Sequence, residues 1–163
     1  MCRITMPTAN TPVLDSPASP ASGRPLHILY ADDMPELRHL MSEVFVREGH
    51  DVETVGDGDK ALETLKHSAS PFDLLITDHN MPGISGLDLV RQTRQLPYPG
   101  KIVVFSSELS ETVKDAYRGL AVDAILTKPI FPLTFRAVLE QLFGEKSPLE
   151  TENAVPLFPE PLG

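Results

Sequence analysis

The sequence predicts an α/β fold in which five strand–helix units build one parallel sheet with helices on both faces. Three observations predict it. Five apolar runs recur through the middle of the chain, each followed by a segment with helical periodicity. Most of these runs are continuously apolar rather than alternating, as expected of strands covered on both faces. The two ends are proline-rich and aperiodic, and they bracket a middle region of ordinary domain size.

The first strand is Leu26 to Ala31. Pro35, at an early helical position where its missing N–H is no loss, opens a helix. Leu37, Leu40, Met41, Val44 and Phe45 form its apolar stripe, and Gly49 ends it. Val52 to Val55 is a second, shorter strand. Gly56-Asp57-Gly58-Asp59 then turns into a helix with Ala61, Leu62 and Leu65 inward. Phe72 to Thr77 is the third strand, and a loop containing Met81-Pro82-Gly83 leads to a helix from Gly86 to Gln95. Pro97 and Pro99 break the chain before the fourth strand, Lys101 to Phe105. Val113, Ala116, Tyr117 and Leu120 mark the fourth helix, and Val122 to Thr127 the fifth strand. Pro132 opens a last helix that buries Phe135, Val138, Leu139, Leu142 and Phe143. Strands alternating with single helices imply right-handed crossovers and hence a parallel sheet.

Residues 1–25 hold five of the 16 prolines and residues 144–163 four more, so neither segment can bury enough apolar surface to offset its chain entropy. Both are expected to be disordered tails flanking a folded domain over 26–143. Leu157-Phe158-Pro159 is a candidate docking motif in the second tail, although that composition favours plain solvated disorder. The net charge of −9, of which −7 falls within 26–143, argues against nonspecific nucleic-acid binding, which depends on Lys and Arg neutralising phosphates. A single cysteine, Cys2, can form no internal disulfide and complete no metal site. There is no long apolar run, and Met1 to Asn10 lacks a signal-peptide core, so the expected compartment is the cytoplasm.

Four polar signals follow the apolar runs: Asp32-Asp33, Asp78, Ser106 and Lys128-Pro129. Taken singly, each has an ordinary explanation. Asp33 is a good candidate N-cap for the helix opened by Pro35, Ser106 an ordinary strand-end hydroxyl and Lys128 a surface cation. Lys128 also precedes a proline, so its peptide bond is a candidate for cis. In an open parallel sheet, however, ligands bind outside the carboxyl ends of the strands, and there the four would converge. Clustered carboxylates raise one another's pKa unless a cation neutralises them. Oxygen ligands that leave room for water and a phosphate suit Mg²⁺. Zinc would require His or Cys; His79 is the one at these strand ends, and its place after Asp78 turns it away. A carboxylate nucleophile with a cation, a lysine and a hydroxyl around it fits phosphoryl transfer onto that carboxylate.

The segments Ile28-Leu29-Tyr30-Ala31-Asp32-Asp33, Asp78 through Leu89, Val103-Val104-Phe105-Ser106-Ser107 and Lys128-Pro129, in this order and spacing, resemble the signature of two-component response-regulator receiver domains. The resemblance covers residues 26–143. It implies a flavodoxin-like, doubly wound (βα)₅ sheet of strand order 2-1-3-4-5. It also implies that Asp78 accepts a phosphoryl group from a histidine kinase or His-phosphotransfer protein. By the same resemblance Asp33 and Asp78 bind Mg²⁺ directly, Asp32 does so through water, and the Asn80 backbone carbonyl completes the set. Ser106 is the switch hydroxyl, Lys128 pairs with the phosphoryl group, and Asn80 and Glu108 match variable positions that tune dephosphorylation. The implied output is contact with a downstream protein, by a monomer or weak homodimer.

One position departs from the pattern. Where the family often has Tyr or Phe three residues before the lysine, this chain has Ile125, which cannot swing a phenol inward with the hydroxyl. Two other function classes bear on the same residues. A phosphohydrolase working through an aspartyl-phosphate needs a second acid two residues after its nucleophile; here that position is Asn80, which cannot donate a proton. A phosphorylation-independent scaffold would keep the fold without needing the intact carboxylate set.

Overall fold

Alternate residues of the central strands point into two separate cores, and this fixes the layering. The computed structural model describes residues 23–144. Its strands are β1 (His27–Ala31), β2 (Asp51–Val55), β3 (Leu74–Thr77), β4 (Lys101–Ser106) and β5 (Ala124–Thr127). They pair in parallel in the order β2-β1-β3-β4-β5. The helices are α1 (Pro35–Arg47), α2 (Gly58–His67), α3 (Gly86–Thr93), α4 (Glu111–Gly119) and α5 (Pro132–Phe143). Ile28, Tyr30, Leu74, Ile76, Val103 and Phe105 face one side, where Met41 and Phe45 of α1 and Phe135 and Leu139 of α5 cover them. Leu29, Ala31, Leu75, Ile102 and Val104 face the other, beneath Ala61, Leu62, Leu89, Val90 and Tyr117 of α2, α3 and α4. Phe135 meets Phe45 and Phe105 edge-on at 5.1 and 5.5 Å between ring centroids. The predicted fold class and strand order are thus observed. Residues 1–22 and 145–163 of the predicted tails, with Cys2 and Leu157-Phe158-Pro159, lie outside the described residues, whereas Arg24, placed in the first tail, pairs with Asp73 of the domain at 2.8 Å.

Several boundaries differ from expectation for local reasons. β3 begins at Leu74, but Phe72 is still buried and stacks on His27 at 4.0 Å. Val122 belongs to the turn closing α4, its N–H directed at the Tyr117 carbonyl, so β5 starts at Ala124. Ser106 is the last residue of β4 rather than the first beyond it. Leu40, placed on the buried stripe of α1, is 53% exposed. The N-cap of α1 is Met34 with no side-chain cap bond, so Asp33 does not cap this helix. The Lys128–Pro129 bond is cis. Among the described residues no helix is long and apolar enough to cross a membrane.

His50, just before β2, is buried, and its Nδ1 accepts the Leu26 N–H at 3.2 Å. Burial lowers its pKa from the ordinary 6.5, against a smaller opposing effect of Glu48. A base held below its unfolded value contributes stability above that value and loses it as the medium acidifies. Denaturant unfolding is therefore expected to show falling stability as pH drops below 6.5, and His50→Gln to flatten that dependence. An unchanged slope in the variant would assign the acid sensitivity elsewhere.

Candidate functional site

The order β2-β1-β3-β4-β5 puts the reversal of winding between β1 and β3, the point where an open sheet leaves a crevice at its carboxyl edge. Register does the rest. Ala31 pairs with Thr77, so Asp32 and Asp78 leave the sheet side by side, with the Asp78 N–H bonded to the Ala31 carbonyl at 2.9 Å. Ser106 pairs with Thr127, and the Lys128 N–H bonds the Ser106 carbonyl at 2.8 Å, bringing the lysine in from β5.

All four sequence-predicted signals meet there. Asp32 is fully buried; its Oδ2 accepts from the Tyr30 hydroxyl at 2.8 Å and from Lys128 Nζ at 2.6 Å, and its Oδ1 from the Met34 N–H at 2.9 Å. Asp78 is 6% exposed. Its Oδ1 accepts from the His79 N–H at 2.6 Å and the Ser106 hydroxyl at 2.7 Å, and its Oδ2 from Lys128 Nζ at 3.1 Å. Asp33 is exposed, and carboxylate oxygens of Asp32, Asp33 and Asp78 lie within 4.8 Å of one another. Among the described residues this is the one convergent group of three or more candidate metal ligands. Asn80 and Glu108 are exposed in the loops after β3 and β4, and Ile125 is half-buried in β5.

The donor set suits a small hard cation. Three carboxylates face one lysine ammonium, so negative charge remains to be neutralised, and every offered atom is oxygen. Both oxygens of Asp32 and of Asp78 already carry donors, whereas the Asp33 residue is exposed, which leaves its carboxylate open to a cation from solvent.

Three contacts were not anticipated from the sequence. Tyr30 sits two residues before Asp32 and meets its carboxylate; the two-residue period of a strand was the available signal. Burial raises the pKa of that phenol, and the Asp32 charge raises it further, so it stays a donor. Arg38 Nη1 of α1 reaches back past the start of its helix to the Asp32 carbonyl at 2.6 Å. His79 does turn away from the carboxylates, but to a partner that periodicity cannot reveal: its Nδ1 lies 2.8 Å from the Tyr117 hydroxyl of α4.

Comparison with known proteins agrees with this geometry. Residues 28–140 match the response regulator receiver domain. The chain is 30% identical to the transcriptional regulatory protein TrcR of Mycobacterium tuberculosis, over 80% of this chain and 50% of that protein. It is 32% identical to the sensor protein TorS of Escherichia coli, over 78% of this chain and 14% of that protein. The chain therefore spans half or less of the length of these two relatives. The chemotaxis protein CheY4 of Vibrio cholerae superposes with a TM-score of 0.66 at 29% identity, covering 72% of this chain and 98% of that structure. With both the sequence over 28–140 and the doubly wound fold in agreement, this chain belongs to the family of response regulator receiver domains.

Proposed function

We propose that Asp78 is the phosphoacceptor of this receiver domain, loaded in a Mg²⁺-dependent reaction from a phosphohistidine of a histidine kinase or His-phosphotransfer protein. The observation that carries this reading is the set of contacts on one buried carboxylate: Ser106 and the His79 N–H on Oδ1, Lys128 on Oδ2, with Asp32 and Asp33 alongside. A carboxylate oxygen of Asp78 attacks phosphorus as the P–N bond breaks. The electron pair of that bond stays on the imidazole, and an acyl phosphate forms. Lys128, already at the carboxylate, meets a phosphoryl oxygen as a point charge, and the Ser106 hydroxyl turns from Oδ1 to another. Asp33 and Asp78 would hold Mg²⁺ directly, Asp32 through water and Asn80 by its backbone carbonyl; the ion supplies neutralisation of charge on the transferring group. Attack of water on phosphorus later breaks the P–O bond, returning the carboxylate and releasing phosphate. Asn80 and Glu108, exposed on either side, would tune that attack. The chain thus catalyses only its own phosphorylation and dephosphorylation.

A groove of about 420 Å³ adjoins Lys128 and is lined by Met34, Leu37, Leu40 and Met41 of the α1 region, together with Pro129 and Ile130. It offers the phosphohistidine donor an apolar seat next to Asp78 and gives a use to the exposed Leu40. The charge of −9 favours a protein rather than a nucleic acid as the downstream partner, met in the cytoplasm. Incubation with Mg²⁺ and acetyl phosphate is expected to add a single phosphoryl group by intact mass, and prior chelation with EDTA to prevent it. No adduct from any phosphodonor would favour the scaffold reading instead.

A further inference from the structure

We propose that His79 and Tyr117 form the link through which the state of Asp78 is passed to α4. The inference rests on Asp78 being the phosphoacceptor. Of the nine residues of α4, Tyr117 is the one that is buried. It is fully buried, its ring meets that of His79 edge-on at 5.7 Å, and its hydroxyl is in hydrogen-bond contact with His79 Nδ1 at 2.8 Å. The same His79 donates its backbone N–H to Asp78 Oδ1 at 2.6 Å and accepts the Gly86 N–H on its carbonyl at 2.8 Å. One residue therefore connects the carboxylate that would be phosphorylated with the one buried side chain of α4.

The rest of α4 is attached differently at its two ends. After its last turn, Arg94, the C-cap residue of α3, holds the Leu120 and Ala121 carbonyls at 3.0 and 2.6 Å. At its start, the Ser110 hydroxyl caps its own helix, accepting the Val113 N–H, and Leu109 and Val113 pack half-buried against the core. The polar attachments of α4 are thus gathered near its last turn, at Tyr117 and at the Leu120 and Ala121 carbonyls, while its start is held by apolar packing, so a shift at Tyr117 can tilt the helix. Forming a bond from Asp78 to phosphorus changes how many donors its two oxygens can hold. The Ser106 hydroxyl is then drawn toward the phosphoryl group, and the His79 N–H must re-pair or shift. Because the ring is tied to Tyr117, a shift of His79 moves or releases α4. The neighbouring strand cannot supply such a link: Ile125 packs against the same core as Tyr117 but carries no donor or acceptor in its side chain.

The test is the amide NMR response to Mg²⁺ and acetyl phosphate in the unaltered chain and in Tyr117→Phe, which keeps the buried ring and loses only the hydroxyl. Adduct yield by intact mass and the response of Ser106 are expected to be unchanged. The shifts of Val113, Ala116 and Leu120 are expected to shrink about fivefold, the factor one hydrogen bond commonly contributes to a two-state equilibrium. His79→Leu should give the same loss from the other partner. A full α4 response in both variants with a normal adduct would overturn the link alone. No adduct in the unaltered chain would overturn the phosphoacceptor reading and the link with it.

Discussion

Asp78→Asn is expected to take up no phosphoryl group from acetyl phosphate and Mg²⁺, yet to unfold no more easily than the unaltered chain. The first half follows from the nucleophile. An amide oxygen carries no negative charge, and the remaining carboxylates are differently held: Asp32 is saturated by Tyr30, Lys128 and Met34, and Asp33 faces solvent. The second half follows from electrostatics. The Asn carbonyl can keep the Ser106 hydroxyl and the His79 N–H that Oδ1 now accepts, at 2.7 and 2.6 Å. Its amide nitrogen turns a donor toward Lys128, but that ammonium keeps Asp32 at 2.6 Å. Against the lost half of the lysine pairing stands relief of repulsion among three carboxylates within 4.8 Å. The net change is expected to lie between zero and about 1 kcal/mol of stabilisation in metal-free buffer. Intact mass and a denaturant midpoint check the two halves separately. An adduct in the variant would move the acceptor to another residue, and a lower midpoint would mean that the Asp78–Lys128 pair outweighs the repulsion.

What the sequence made legible, and what it did not, divides along a physical line. β3 and most of β1 and β4 are covered on both faces, so their residues had to be apolar throughout, and the runs Ile28–Ala31, Leu74–Ile76 and Ile102–Phe105 could be found by hydropathy alone. The polar residues ending those runs then fell into one crevice, because parallel strands of similar length end at one edge. Periodicity misplaced Leu40, since a helical stripe specifies a face but not how far the sheet beneath it extends. It also made Asp33 a plausible cap, although the turn after β1 aims that carboxylate outward, and the Met34 N–H instead bonds Asp32. Tyr117 falls on the apolar period that marks the fourth helix, and the structure buries it completely. Its bond to His79 joins residues 38 positions apart on different elements, and one-dimensional spacing has no means of registering that.

Removing the lysine should do more damage than removing the Asp78 carboxylate. Lys128→Ala is expected to lose about 3 kcal/mol in metal-free buffer, because breaking a buried ion pair leaves uncompensated charge behind. The Asp32 side chain is fully inaccessible, and that of Lys128 is 11% exposed, so the pair is well shielded from water. Without the ammonium, Asp32 retains only the Tyr30 hydroxyl and the Met34 N–H, and Asp78 only Ser106 and the His79 N–H. Hydrogen bonds orient these carboxylates but do not cancel their charge. Lys128 also lies 5.4 Å from the Phe105 ring centroid, so truncation removes a cation from the face of a core aromatic as well. The same reasoning fixes the response to metal. In the unaltered chain, a divalent cation entering among Asp32, Asp33 and Asp78 competes with an ammonium already neutralising two of them. In the variant it meets three carboxylates with none. Added Mg²⁺ should therefore raise the denaturant midpoint of Lys128→Ala by more than it raises that of the unaltered chain, recovering part of the loss. Equal increments in the two proteins would mean that cation and lysine do not share these carboxylates. Phosphoryl uptake should remain slow in the variant even with saturating Mg²⁺, by about 10²-fold or more, because a charge positioned at the transferring group contributes on that scale and the metal does not replace it on the β5 side.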